Sequence, residues 1–225
     1  MPSALIIGAS RGIGLGLTQE FISRGWDVVA TQRSASLALA ATGAQVATVD
    51  IDDADTVSAL ATSLAGKNFD HVLINAGITG GRADTASTVS RDAMAQLFWT
   101  NAIAPIRAGR ILLPLVKDGG SIGFMSSILG SVGGRQNAWA ELYSASKAAL
   151  NSLTRGFAVQ DIGSRDVAVL TLHPGWVKTD MGGPDADIDV ATSVKGLAGV
   201  ITDSIASARA RGQRYVDYSG AAITW

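Results

Sequence analysis

The sequence contains no cysteine and only two histidines, His71 and His173, among its 225 residues. Without cysteine there are no disulfides, thiolate metal sites or cysteine nucleophiles, which suits a reducing compartment. The two histidines are too far apart in the sequence for ligand-like spacing. We therefore interpret both as structural, expect no metal, and expect a cytoplasmic location.

Charge is scarce and balanced. Charged residues make up 16% of the chain, with 18 basic against 19 acidic residues and a net charge of −1. This excludes disorder as the main state and gives no basic surface for nucleic acid or anionic membrane. No apolar run approaches the roughly 20 residues of a membrane span. The sequence therefore predicts a globular protein with no nucleic-acid or membrane partner.

Short apolar runs alternate with segments of helical periodicity. The runs predict strands over residues 4–7, 28–30, 46–49, 72–74, 121–125, 167–172 and 215–217. Helices are predicted over residues 14–24, 53–64, 91–115, 140–159 and 190–208, with Pro105 and Pro114 bending or breaking the third. Strands that are apolar throughout are covered on both faces, as in parallel sheets with crossover helices. We predict an α/β fold: one Rossmann-like, doubly wound parallel sheet of about seven strands, forming a single domain over residues 1–225.

Glycine is abundant, with 26 residues, and three glycines stand between the first strand and the first helix. Gly8, Gly12 and Gly14 give the spacing G-x-x-x-G-x-G, which differs from the G-x-G-x-x-G of common dinucleotide folds. A pyrophosphate needs a tight turn, close backbone approach and free N–H groups at a helix N-terminus. The loop therefore predicts a dinucleotide site, and an ordinary strand-to-helix turn is the alternative.

The end of the second strand bears on the choice of cofactor. An acidic residue there would bind the adenosine 2′-hydroxyl, whereas this sequence has Ala-Thr-Gln followed by Arg33. Arg33 is suited to pair with a 2′-phosphate, and Arg11 in the glycine loop is suited to flank it. We therefore expect NADP(H) rather than NAD, the alternative for Arg33 being a solvated side chain.

Tyr143 and Lys147 are four residues apart on a predicted helix and so share one face. A lysine ammonium near a phenol favours phenolate and lowers the pKa of the tyrosine, which then exchanges a proton with a carbonyl or alcohol. Ser127 follows the fifth strand, where its hydroxyl can donate to a substrate oxygen. The spacing of Ser144 and Lys147 also matches Ser–Lys hydrolases, but the Ser-Asp-Asn and Lys-Thr-Gly elements of those enzymes do not follow.

In this order the motifs resemble the short-chain dehydrogenase/reductase family, from Leu5 to about Tyr218. The resemblance rests on the glycine loop, Asn75-Ala76-Gly77, Asn101, Ser127, Tyr143-x-x-x-Lys147 and Pro174-Gly175. Finer features resemble the C-factor and sniffer-type carbonyl reductase branch, namely Ser-Ile-Leu-Gly-Ser over 127–131, His-Pro-Gly-Trp-Val-Lys-Thr-Asp-Met over 173–181, and Tyr-Ser-Gly over 218–220 followed by Trp225.

The resemblance implies roles for these residues. Tyr143 would be the general acid, Lys147 would lower its pKa and bind the nicotinamide ribose, Ser127 would polarise the carbonyl, and Asn101 would support a water relay to Lys147. Asp50 would hold the adenine, Asn75 the adenosine ribose region and Thr179 the carboxamide. The full cofactor set implied is Gly8, Ser10, Arg11, Gly12, Ile13, Gly14, Arg33, Asp50, Ile51, Asn75, Ala76, Gly77, Tyr143, Lys147, Pro174, Gly175, Val177 and Thr179.

Three departures from the family pattern stand out. Ile7 occupies a position that is usually threonine, and Ile74 one that is often asparagine. We hypothesise that an apolar pair replaces a polar pair, because the first and fourth strands are neighbours in the family's sheet. Ser127 and Tyr143 are also 16 positions apart, somewhat more than usual, so residues 133–139 form either part of a substrate wall or a plain surface loop.

Two further patterns are open to more than one interpretation. The large apolar side chains Trp99, Trp139, Trp176 and Met181 line a substrate pocket or pack in the core. Residues 185–189 resemble a calcium loop, but Val190 and Gly196 stand where that loop needs glycine and glutamate. We expect this segment to be a lid or the start of a helix.

The sequence therefore predicts an NADPH-dependent oxidoreductase that reduces a ketone or aldehyde to an alcohol. The alternative is a regulatory or signalling protein that binds NADP(H) with little or no turnover. The expected partner is a small-molecule carbonyl or alcohol, and the family resemblance implies a homodimer or homotetramer.

Overall fold

The protein is described by a computed structural model that covers residues 1–81, 83–135, 139–206 and 212–225. Within these residues, seven strands form one parallel sheet in the order β3-β2-β1-β4-β5-β6-β7. The strands are β1 Ser3–Ile7, β2 Asp27–Gln32, β3 Gln45–Thr48, β4 Phe69–Ile74, β5 Val116–Met125, β6 Ala168–His173 and β7 Gln213–Asp217. The predicted fold class is confirmed.

Helices cover both faces of the sheet and enclose two apolar clusters. Helices α1 and α7 pack together on one face, and α3, α5 and α6 pack on the other. The helices are α1 Gly12–Ser23, α2 Leu37–Ala40, α3 Ala54–Ser63, α4 Arg91–Phe98, α5 Ala104–Leu112, α6 Glu141–Gln160 and α7 Val190–Ala206. The predicted end of the last helix at residue 208 lies outside the described residues.

Local sequence explains where several elements begin. Asp53 caps α3 by accepting from the Asp55 N–H at 2.9 Å, and Ser90 caps α4 by accepting from the Ala93 N–H at 3.2 Å. β4 is buried along its whole length, which explains why its sequence does not alternate.

The helical region predicted over residues 91–115 is divided by irregular turns. A π-helical turn, Trp99–Ile103, separates α4 from α5, and a 3₁₀ turn, Leu113–Leu115, leads into β5. The irregularity therefore precedes Pro105, which lies within the first turn of α5, where proline is tolerated. Pro114 does end the helix. The short helix α2 was not predicted.

The sheet topology places the candidate site. The chain leaves β1 to form β2 and β3 on one side, and then returns to form β4 on the other side of β1. In such sheets ligands bind outside the carboxyl ends of the strands, at this switch point. Among the described residues, each helix is too short or too polar to cross a membrane, and no group of three acidic or histidine side chains is placed to hold a metal.

Candidate active site

The glycine loop, residues 8–14, connects β1 to α1 and has no room for side chains at two positions. Gly8 has a φ of +90°, and a Cβ there would lie 2.8 Å from backbone atoms of Ala76. A Cβ at Gly14 would lie 2.2 Å from the Gly8 carbonyl oxygen. The Gly8 N–H donates to Thr31 Oγ1 at 3.0 Å, which fixes the start of the loop. Glycine is therefore required here by close backbone packing.

The N-terminus of α1 fits an anionic group. Its N-cap residue, Arg11, has an extended backbone and makes no capping hydrogen bond through its side chain, and the first turn holds no acidic residue. The N–H groups of a first turn without such a cap attract phosphate. Ser10 is held nearby, because the Ser36 hydroxyl donates to its carbonyl oxygen at 2.8 Å. The loop residues thus fit the pyrophosphate of a dinucleotide.

The two arginines assigned to a 2′-phosphate are in different situations. Arg33 follows β2 and is exposed. Arg11 forms an ion pair with Asp180, with 2.6 Å between Nη1 and Oδ2, and both side chains are largely exposed. A phosphate would therefore have to compete with Asp180 for Arg11. Arg33 is exposed at the end of β2, where a phosphate can reach it.

The residues predicted to surround the adenosine lie where β3 and β4 end. Asp50 accepts from the Asp52 N–H at 3.1 Å, and Ile51 is buried. The Asn75 side chain donates to the Gly8 carbonyl oxygen at 2.6 Å. Asn75 therefore braces the glycine loop, a role that its sequence position did not indicate.

Gly77 connects this segment to the candidate catalytic groups. A Cβ at Gly77 would lie 3.2 Å from Asn101 Oδ1 and 3.5 Å from Lys147 Nζ. The Asn101 side chain bonds the backbone of Ile78 twice, accepting from its N–H and donating to its carbonyl, each at 2.8 Å. It also donates to Ser146 Oγ at 3.0 Å. Asn101 thus ties the β4 loop to α6.

Asn101 lies within the π-helical turn. In an α-helix its main-chain carbonyl oxygen would accept from the N–H of residue 105, but that residue is proline and has no N–H. Such π turns are frequent at functional sites, because they reorient side chains and backbone groups.

Ser127, Tyr143 and Lys147 converge between β5 and α6. Ser127 and Tyr143 line the same cavity, and the Ser127 hydroxyl acts on the Tyr143 phenol, whose pKa it lowers. Lys147 Nζ lies 5.7 Å from the centre of the Tyr143 ring and donates to the Met125 carbonyl oxygen at 2.9 Å. The structure therefore brings together the three residues that the sequence singled out for proton transfer.

Burial dominates the electrostatics of this group. It raises the pKa of Tyr143 to about 12; the hydrogen bond from Ser127 opposes this rise, and Tyr215 adds to it. Burial also lowers the pKa of Lys147 to about 8. The net direction for the tyrosine is opposite to the lowering predicted from Lys147, because desolvation of the phenol outweighs the neighbouring groups.

A cavity of about 510 Å³ opens beside Tyr143. Its apolar wall is formed by Ile128, Leu129, Trp139, Trp176, Val177 and Met181. The Trp139 and Trp176 rings lie 6.5 Å apart, and Trp176 is anchored by a 2.9 Å hydrogen bond from its Nε1 to the Gly182 carbonyl. None of the described lining residues is charged at neutral pH.

Some of the residues predicted to line a substrate pocket do so, and others do not. Trp139, Trp176 and Met181 line the cavity, whereas Trp99 lies elsewhere, with the Arg107 guanidinium 5.1 Å from its ring centre. Of the predicted wall over residues 133–139, Trp139 contributes, and residues 136–138 lie outside the described residues.

The loop after β6 closes the other side of the cavity. Gly175 has a φ of +86°, and a Cβ there would lie 2.6 Å from Ile188. The Pro174 carbonyl accepts from Ser193 Oγ at 2.6 Å, which ties the loop to α7. Thr179 Oγ1 accepts from the Gly182 N–H at 3.0 Å, and its methyl group would lie 3.5 Å from a Cβ on Gly12. Thr179 therefore lies against the glycine loop.

The remaining polar candidates are the two histidines and Asp189. His71 is fully buried, with Nδ1 2.8 Å from Ser121 Oγ, and burial lowers its pKa to about 3. His173 lines the cavity, and burial lowers its pKa to about 4. Asp189, in the calcium-like segment, accepts from the Thr192 N–H at 2.7 Å and so caps α7, as the helix-start interpretation predicted.

Several contributing residues were missed from the sequence. They are Thr31, which holds the glycine loop, Ser146, which bonds Asn101, and Tyr215, whose hydroxyl donates to the Ser127 carbonyl oxygen. Each acts across the fold rather than within a motif, so local spacing carried no signal for them.

The sequence matches the short chain dehydrogenase family over residues 2–187, and the protein belongs to that family of oxidoreductases. It is 34% identical over 174 residues to the C-signal protein of Myxococcus xanthus, which covers 74% of this chain and 99% of that one.

Among the solved structures that resemble the whole chain are two carbonyl reductases. A carbonyl reductase from Pseudomonas aeruginosa PAO1 in complex with NADP has a TM-score of 0.90 and 39% identity, with full coverage of both chains. The carbonyl reductase Sniffer of D. melanogaster has a TM-score of 0.90 and 29% identity, again with full coverage of both. The family and branch predicted from sequence are thereby confirmed.

Proposed function

We propose that this protein is an NADPH-dependent carbonyl reductase that converts a ketone or aldehyde to an alcohol. The observation that carries the proposal is the convergence of Ser127, Tyr143 and Lys147 beside an apolar cavity, at the sheet edge that bears the glycine loop. A protein that only senses NADP(H) would need the glycine loop but not this proton-transfer group.

The cofactor proposal rests on residues that fit NADP(H). The uncapped start of α1 suits the pyrophosphate, and the exposed Arg33 after β2, with no acid beside it, suits the 2′-phosphate. NADP in complex with the Pseudomonas enzyme supports the same choice. When bound, the nicotinamide supplies the hydride that reduces the carbonyl carbon.

The side chains of the chain supply the proton and the orientation. Tyr143, protonated at neutral pH, donates its phenolic proton to the carbonyl oxygen as negative charge develops there. The Ser127 hydroxyl donates a hydrogen bond to the same oxygen and so orients the carbonyl. Below about pH 8 the Lys147 ammonium is charged and stabilises the phenolate left on Tyr143.

Asn101 and Lys147 would complete the proton path. Asn101 ties α6 to the β4 loop through Ser146 and Ile78. The main-chain carbonyl of Asn101 receives no hydrogen bond from residue 105, because that residue is proline. We propose that this carbonyl holds a water that returns a proton towards Lys147. Lys147 would in addition contact the nicotinamide ribose.

The lining of the cavity favours an uncharged, largely apolar substrate. Apolar and aromatic side chains form its wall, so a carboxylate or phosphate would be desolvated there without a counter-charge from the described lining. We further propose one NADP(H)-binding domain over residues 1–225, a homodimer or homotetramer, and a cytoplasmic location.

A substrate screen tests the function. The purified chain is incubated with NADPH and a panel of aromatic, alicyclic and short ketones and aldehydes, and NADPH absorbance is followed. We expect turnover with apolar carbonyl compounds, and much less with NADH. Tight NADPH binding by fluorescence titration, with no turnover across the panel, would instead support the NADP(H)-binding regulator.

A further inference from the structure

Tyr215 lies on β7, 88 residues from Ser127 in the sequence, and its hydroxyl donates to the Ser127 carbonyl oxygen. The side chain is buried, with 3% exposed. Ser127 is the residue that polarises the substrate carbonyl in the proposed reaction. The contact therefore links β7 to the active site across the fold.

The carbonyl of Ser127 accepts two hydrogen bonds. One comes from the Gly130 N–H at 2.9 Å, within the short 3₁₀ turn Ile128–Gly130 that follows the serine. The other comes from Tyr215. A 3₁₀ turn of three residues has few bonds of its own and relatively poor hydrogen-bond geometry. A donor from β7 therefore fixes the peptide whose orientation sets the direction of the Ser127 side chain.

A buried polar network surrounds the Tyr215 hydroxyl. Ser126 Oγ donates to Asn151 Oδ1 at 2.6 Å. Both side chains also oppose the rise that burial causes in the pKa of Tyr215. Asn151 also donates to the Gly130 carbonyl at 3.0 Å. Both ends of the turn are thus held by groups from α6 and β7, and such satisfied buried networks favour a single arrangement.

The ring of Tyr215 is itself held in place. Trp225 packs against it with 5.1 Å between ring centres, and the Arg155 guanidinium lies 5.0 Å from the centre of the Trp225 ring. The segment after β7 folds back along the strand, where the Ile223 N–H donates to the Tyr215 carbonyl at 2.8 Å. Ser131, just after the 3₁₀ turn, donates through its hydroxyl to the Thr224 carbonyl.

We propose that Tyr215 is a positioning residue that holds the Ser127 peptide, and with it the Ser127 hydroxyl, in the orientation that meets Tyr143 and the substrate carbonyl. This inference rests on the proposed function for the role of Ser127. It makes the segment over residues 213–225 part of the active-site support.

The first test is Tyr215→Phe, which keeps the ring and removes the hydroxyl. Amide hydrogen exchange is measured over residues 126–131 without cofactor, because the Leu129 N–H bonds Ser127 Oγ and the Gly130 N–H bonds the Ser127 carbonyl. We expect about tenfold faster exchange there, the factor for losing one hydrogen bond of ordinary strength. The matched control, Tyr218→Phe, should leave this exchange unchanged. Unchanged exchange in Tyr215→Phe would overturn the proposal.

The second test measures turnover of the same variants. We expect Tyr215→Phe to lower kcat about tenfold while the NADPH Kd and the Tm stay close to those of the parent protein. A kcat within twofold of the parent, or a kcat loss matched by losses in NADPH affinity and Tm, would overturn the positioning role. If the parent protein reduces no carbonyl compound, the proposed function fails, and hydrogen exchange still decides whether Tyr215 holds Ser127.

If Tyr215→Phe does not fold, Trp225→Leu is tested in its place. This variant removes the ring that packs against Tyr215 but keeps the Tyr215 hydroxyl. The same rise in exchange over residues 126–131 and the same fall in kcat are expected, each smaller than for the loss of the hydroxyl. No change in either measurement would overturn the proposal.

Discussion

Lys147 Nζ donates to the Met125 carbonyl oxygen at 2.9 Å, and this bond joins α6 to the end of β5 beside Tyr143. The lysine side chain is almost completely buried, and desolvation lowers its pKa from 10.5 to about 8. A cation is therefore held in a low-dielectric site at neutral pH, which costs stability and serves the proposed chemistry.

Lys147→Met should accordingly stabilise the protein at pH 7 by about 1 kcal/mol while abolishing turnover, since relief of the buried charge exceeds the lost hydrogen bond. The advantage should be largest below about pH 8. It should shrink between pH 8 and 10.5, because there the folded lysine has lost its proton and the unfolded one keeps it. Chemical denaturation across this range measures it, with Lys178→Met on the surface as control. A difference in unfolding free energy that does not change with pH would contradict this account.

Tyr143→Phe tests the proton donor. Removing the phenolic hydroxyl should lower kcat by about 10²–10⁴-fold, the usual contribution of general acid catalysis. The NADPH Kd should stay within about twofold, because the ring and Lys147 remain. Steady-state kinetics and fluorescence titration measure the two effects, with Tyr218→Phe as the matched control. Near-normal turnover in Tyr143→Phe would rule out the proposed acid.

Arg33→Asp tests the preference for the phosphorylated cofactor. Charge reversal at the end of β2 should weaken NADPH binding by about 10–100-fold, because a charge-assisted hydrogen-bonding partner becomes a repulsive one. NADH binding should change less than threefold, since that cofactor has no 2′-phosphate. Fluorescence titration with both cofactors measures this, and Lys195→Asp on α7 controls for net charge. Equal losses for the two cofactors would contradict the assignment.

Ile7 and Ile74 are register partners at the carboxyl ends of β1 and β4, and each is 1% exposed. Ile7→Thr and Ile74→Asn should each destabilise the fold by about 1–3 kcal/mol, because each buries a polar group beside an apolar one. The double variant should lose less than the sum, since the two polar groups then face each other. Urea denaturation of the four proteins measures the coupling. A gain in stability from Ile7→Thr alone would contradict the replacement of one matched pair by another.

The sheet was predictable because its buried strands contain short runs of apolar residues. The apolar runs over residues 5–7 of β1 and 72–74 of β4 are buried at successive positions, so the sequence shows continuous runs there instead of alternation. The glycine loop was predictable for a related reason: the positions that a Cβ would obstruct, Gly8 and Gly14, are specified by residue type.

What the sequence did not predict depends on backbone atoms and distant partners. The acceptor for Lys147 is the Met125 carbonyl, and a main-chain oxygen leaves no mark on residue identity. Likewise, Trp99 and Trp139 look equivalent in sequence, but the fold places only Trp139 at the cavity. The pKa of Tyr143 depends first on desolvation, which its spacing to Lys147 in the sequence does not show.

The π-helical turn over Trp99–Ile103 contains one residue more than a regular α-helix would need, and the fold depends on that extra residue. Deleting one of its residues would give α-helical spacing from α4 into α5 and would place Pro105 inside a continuous helix, where its missing N–H leaves a carbonyl unpaired. It would also rotate α4 by about 100° relative to α5, the angle of one residue in an α-helix. Asn101 would then lose its alignment with Ile78 and Ser146, so the extra residue of the π-helical turn serves both the accommodation of Pro105 and the site.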